Sequence, residues 1–154
     1  MPKFTRQRRL GEIWDFFSEF VRALEANFFV EEYVLEQYAF AAKNSHQASI
    51  GEGGGALKLA LVQQYGYEER VAYPSLASPN AVKKFATGKG SGDKNLIMMR
   101  AYQKWGVDLP DDNMVDAYVL ARIAHALTSG RTDHAYENEV VEAIERNPGW
   151  RLSE

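Results

Sequence analysis

The sequence contains no cysteine, so it can form neither a disulfide nor a thiolate metal site. Its three histidines, His46, His125 and His134, lie far apart and show no HExxH-type spacing, so any metal would have to be held by oxygen. No apolar run reaches the roughly 20 residues that span a bilayer. The amino terminus, MPKFTRQRRLGEIWDFF, turns amphipathic where a signal peptide would carry an unbroken apolar stretch. A soluble cytoplasmic protein without a membrane partner is expected. Net charge is also small, −3 from 18 basic and 21 acidic residues, which argues weakly against a polyanionic partner. That charge is unevenly spread, however: Lys83 to Lys104 holds six Lys/Arg against one acid, Asp93.

What is present is enough for one packed unit: 154 residues, 45% apolar and 12% aromatic. Leu10, Ile13, Trp14, Phe17, Phe20, Val21 and Leu24 recur at helical spacing and predict a long amphipathic helix over about residues 6–26. The aromatic and β-branched run Phe28 to Phe40 predicts a strand. Ser45 is a candidate cap for a helix over 48–65, in which GEGGG (Gly51 to Gly55) is unusual, since an interior glycine costs about 1 kcal/mol against alanine. A close backbone approach is the expected compensation. A short strand is expected at Arg70–Tyr73, and Ser78-Pro79 opens a helix that the glycine loop Thr87 to Gly92 ends. Further helices are expected over 93–105, from Asp111-Asp112 through Leu127, and over 134–146, the last a polar helix of a dimer arm or solvated cap. Two evident strands with five or six helices make an α/β unit, the strands being few for a sheet so covered.

Three segments, in order, resemble the RuvC-type Holliday-junction resolvases of the ribonuclease H-like superfamily. LEQYAFAAKN (Leu35 to Asn44) is similar to that family's strand with an apolar-Glu-Gln ending and an Ala-Lys-Asn turn. VKKFATGKGSGDK (Val82 to Lys94) resembles its loop with lysines eleven residues apart around a glycine turn. DDNMVDAYVLA (Asp111 to Ala121) resembles its acidic carboxy-terminal helix, in the form seen among bacteriophage members. The resemblance covers roughly residues 10–127. It implies a ribonuclease H-like fold, with residues 1–128 as the nuclease domain and 129–154 as a helical tail.

The resemblance also implies an activity: hydrolysis of phosphodiesters in branched DNA, such as a four-way junction, by a homodimer whose twofold symmetry matches two symmetric strands. Two Mg²⁺ or Mn²⁺ ions about 4 Å apart would serve, held by carboxylates as hard cations require. Glu36 resembles the bridging acid at a strand end, and Asp112 and Asp116, four apart, share a helix face. Asn113 stands where other members place an aspartate or histidine, so either Asp112 or Asn113 completes the set. Taken alone, Asp111 or Asp112 before an apolar run is simply an N-cap. Lys43, Lys83, Lys84, Lys89 and Lys94 are expected to contact phosphates, and Tyr38 (with Phe40) to stack on an unpaired base or enter the core. His125 is expected to be a surface or packing residue.

The family begins with a Gly-x-Asp strand and two further strands ahead of its first helix, whereas this sequence starts at that helix. Three explanations stand open: a start codon upstream of Met1, a truncation, or a divergent product without activity. Two competing functions follow, namely a catalytically inactive DNA-binding or assembly module, and a ribonuclease H-like nuclease acting on RNA or replication forks.

Overall fold

In the computed structural model, which describes residues 6–37, 46–67 and 69–149, the first apolar periodicity becomes α1 (Arg6–Asn27). It is followed by β1 (Val34–Glu36), α2 (His46–Tyr65), a 3₁₀ turn at Arg70–Ala72 and β2 (Ser75–Ala77). Four helices complete the chain: α3 (Pro79–Thr87), α4 (Lys94–Trp105), α5 (Asp112–Ser129) and α6 (Ala135–Arg146). Among the described residues the protein is therefore mixed α/β and mostly helical, with six helices and two strands. None of these helices is long and apolar enough to cross a membrane.

The described elements form two compact units, one holding α1, α2 and the 3₁₀ turn, the other β1, β2 and α3 to α6. In the first unit the stripe of α1 meets α2, with Val21 and Leu61 fully buried and Ala60 and Ala72 beside them in burial. Burial of a side chain such as Leu61 contributes about 1.5–3 kcal/mol. Tyr65 donates its hydroxyl hydrogen bond to the Glu25 carboxylate and ties the two helices. The expected apolar face is not wholly covered within this unit, for Phe20 is half exposed and stacks on exposed Phe16 at 6.4 Å. At Gly51, Gly53 and Gly55 of α2 the expected close approach is not met, since among the described residues nothing lies within 4 Å of a Cβ placed there.

In the second unit β1 and β2 pair in parallel, Val34 opposite Ser75, Leu35 opposite Leu76 and Glu36 opposite Ala77. Parallel pairing needs a long crossover, and the connecting chain carries α2. The ladder extends through Gln37 N–H to the Ala77 carbonyl (2.7 Å) and Ser75 N–H to that of Tyr33 (2.9 Å). The two strands differ from expectation. β1 occupies three residues of the run Phe28 to Phe40, of which 38–40 lie outside the described residues, as does the expected cap Ser45. The strand expected at Arg70–Tyr73 is a 3₁₀ turn closed by Ala72 N–H to Glu69 O (3.1 Å). Pro74 has no N–H to give a ladder, and β2 begins just after it.

The helices start and stop where their caps dictate. Ser78 Oγ accepts from Ala81 N–H (3.1 Å), Asp93 Oδ1 from Leu96 N–H (2.8 Å) and Asp111 Oδ1 from Met114 N–H (2.9 Å). Gly88, Gly106 and Gly130 end α3, α4 and α5 in the left-handed region, at φ 82°, 68° and 66°. Their core joins Phe85, Ile97, Val119 and Ile123 to Val140, Val141 and Ile144 of α6. The last helix packs into the core of the second unit through Val140, Val141 and Ile144.

Candidate functional site

The site grows from the carboxy-terminal end of β1. Glu36 is the last residue of that strand, and α5 packs against it. Because Asp111 is the N-cap, Asp112 is the first residue of α5, and Asp116 follows one turn later on the same face. Asp116 lies near enough to Glu36 for their charges to interact. Across from α5, the Asp93 cap makes Lys94 the first residue of α4, and its ammonium forms an ion pair with the Asp112 carboxylate. Lys83 of α3 adds a second positive charge within reach of Glu36 and Asp116. A shallow hollow beside the pair is lined by Lys94, Ile97, Met98, Asp112, Val115 and Asp116.

These acids titrate differently. Burial, and then the negative charge of Asp116, pushes the Glu36 carboxyl above the ordinary glutamate range against the pull of Lys83. Asp116 is pushed up in the same way, by burial first and the Asp112 charge second, with Lys94 and Lys83 opposing. Asp112 moves the other way: the hydrogen bond from Lys94 holds it below the usual aspartate range despite some desolvation. Lys94 is raised in turn, chiefly by that hydrogen bond and the charge of Asp112.

Five of the expected residues, Glu36, Asp112, Asp116, Lys83 and Lys94, are thus brought into one electrostatic cluster. Of the two candidates at the start of α5, Asp112 lines the hollow, while Asn113 is exposed and does not. The Lys84 ammonium pairs with Glu139 of α6. Lys89 is exposed on the glycine loop, where its N–H donates to Thr87 Oγ1 (3.2 Å) and its carbonyl accepts from that hydroxyl (3.0 Å). His125 is exposed, as expected, with its carbonyl accepting from Thr128 and Ser129. Tyr38, Phe40 and Lys43 lie outside the described residues.

Sequence reasoning missed the best-satisfied polar pair. Lys104, near the end of α4, bonds Glu137 of α6 and donates to the Phe85 carbonyl at 2.9 Å, with 12% and 3% of the two side chains exposed. The signal was available: Glu137, Val140, Val141 and Ile144 recur at one helical face.

The donor set of the cluster, three carboxylates without sulfur or imidazole, suits hard cations such as Mg²⁺ or Mn²⁺, and the upward push on Glu36 and Asp116 is one that a cation would relieve. The spacing is another matter: among the described residues no group of three or more His, Asp or Glu is drawn together to hold an ion. Comparison with family models, curated proteins and solved structures yields no match to this chain.

Proposed function

We propose that this protein is a metal-dependent endonuclease of ribonuclease H-like fold that acts as a homodimer on branched DNA, in the manner of RuvC-type Holliday-junction resolvases. What supports the reading is one convergence. Glu36, Asp112 and Asp116, from segments far apart in the chain, share one charge cluster with Lys83 and Lys94. These are the residues singled out by the resemblance. Two bound Mg²⁺ or Mn²⁺ ions would supply an activated water and stabilise the leaving oxygen, with Glu36, Asp112 and Asp116 as their protein ligands. Lys83, Lys89 and Lys94 would position backbone phosphates without reading sequence.

The test is cleavage of a synthetic four-way junction with Mg²⁺ or Mn²⁺. Cutting that falls at least about 100-fold in Glu36→Gln or Asp116→Asn is the expected result. The second reading, an inactive DNA-binding or assembly module, is favoured by the want of a ready three-carboxylate cage among the described residues. In that case the junction binds, no cutting occurs, and neither substitution alters binding.

A further inference from the structure

The three acids of the cluster differ in how their charge is met. Asp112 has a direct partner within the chain, the Lys94 ammonium, whereas Glu36 and Asp116 feel Lys83, and Asp116 also Lys94, through space. The backbone of Lys94 is fixed, since it follows the Asp93 cap at the start of α4. Its side chain, by contrast, is three quarters exposed. A carboxylate oxygen occupied by an ammonium group is withheld from a cation.

We propose that Lys94 is a built-in counter-ion, which occupies Asp112 in the metal-free protein, yields it to a divalent cation, and then turns its ammonium to a backbone phosphate of the nucleic acid. The inference rests on the nuclease reading and adds an exchange to it. While no dication is present, Lys94 limits repulsion between Asp112 and Asp116. When one binds, the dication takes over that role and would repel the ammonium. The displaced charge then finds its complement in the phosphate that the same cation draws in. No covalent bond changes.

Mn²⁺ binding to the full chain without DNA, read by electron paramagnetic resonance, tests the first half. Lys94→Gln should tighten binding about fivefold to tenfold, as expected on removal of a directly competing cation. Lys83→Gln takes the same charge from the same cluster but touches no Asp112 oxygen, and should change binding less. In an Asp112→Asn background, Lys94→Gln should change binding no more than Lys83→Gln does, through its charge at Asp116 alone. Equal Mn²⁺ affinity in the protein and in Lys94→Gln overturns the counter-ion role alone, as does a Lys83→Gln effect matching that of Lys94→Gln. Failure of both the protein and Lys94→Gln to bind Mn²⁺ overturns the metal reading beneath it. For the second half, Lys94→Gln should weaken the binding of a four-way junction when Mn²⁺ is present, and unchanged affinity there refutes the turn toward phosphate.

Discussion

The two ends of α4 each present a lysine to a carboxylate, and the surroundings of the pairs differ. At the start of the helix, Lys94 is 75% exposed and meets Asp112, which is 28% exposed. Near its end, Lys104 and Glu137 are almost withdrawn from water. Lys104 also donates to the Phe85 carbonyl at 2.9 Å and lies 4.6 Å from the centre of the Trp105 ring and 5.1 Å from that of Tyr136. Glu137 Oε2 accepts from Asp133 N–H (2.7 Å) and His134 N–H (3.1 Å), joining the loop before α6 to the pair. A buried pair survives only when its remaining donors and acceptors are satisfied in this way. It holds α3, α4 and α6 in register, so its exchange would cost the fold. The exposed pair can open without such cost, and it stands in the acidic cluster.

The largest effect should come from breaking the buried pair. Glu137→Ala leaves the Lys104 ammonium buried without its carboxylate, and a loss of about 3–5 kcal/mol in urea unfolding is expected. A double change of Lys104 and Glu137 to methionine removes both charges and should cost much less. A single-substitution loss near that of an ordinary surface pair, up to about 1 kcal/mol, would break the comparison.

The same pair makes the fold sensitive to acid. Burial pushes the Glu137 carboxyl up, but the hydrogen bond from Lys104 and those from Asp133 and His134 outweigh it, holding the group below the usual glutamate range. A depressed acid contributes stability that is complete above its unfolded value and is lost as pH falls through its folded value. Unfolding free energy should therefore decline as pH drops below the glutamate range. In Glu137→Gln that part of the slope should vanish, and an unchanged slope in a urea series across acidic pH would assign the acid sensitivity elsewhere.

The contrast also marks what the sequence makes legible. Helix starts could be read because Ser78, Asp93 and Asp111 act locally, each on backbone groups a few residues away. Strands could not. Val71 and Tyr73 favour extended structure, but Pro74 places the pairing residues just beyond them, and three-residue strands leave little alternation to detect. Asp112 and Asp116 were readable as a facing pair from their spacing of four, and the resemblance singled out Glu36 beside them. The partners of the lysines were not legible, because Lys84 with Glu139 and Lys104 with Glu137 depend on where α6 packs. The charged residues of that helix read as polar, although its apolar positions Val140, Val141 and Ile144 repeat with a core-facing period.

The smallest expected effect separates the cluster from the buried pair most sharply. Glu36 and Asp116 are both raised, by burial foremost and by a neighbouring carboxylate next, so their ionised forms oppose folding. A raised acid contributes stability at low pH that is lost as pH rises through its folded value, the opposite of Glu137. Asp116→Asn should therefore raise the neutral-pH Tm slightly, by about 1–2 °C once solvent screening is allowed for. Glu36→Gln should do the same or less. The gain should shrink as pH falls into the carboxylate range, where the acid is already protonated. Mn²⁺ should stabilise the unsubstituted protein more than Asp116→Asn, because only the former keeps every carboxylate that the cation relieves. A Tm that falls on Asp116→Asn would mean that this carboxylate holds the fold together as Glu137 does, and the distinction between the two ends of α4 would lose its physical basis.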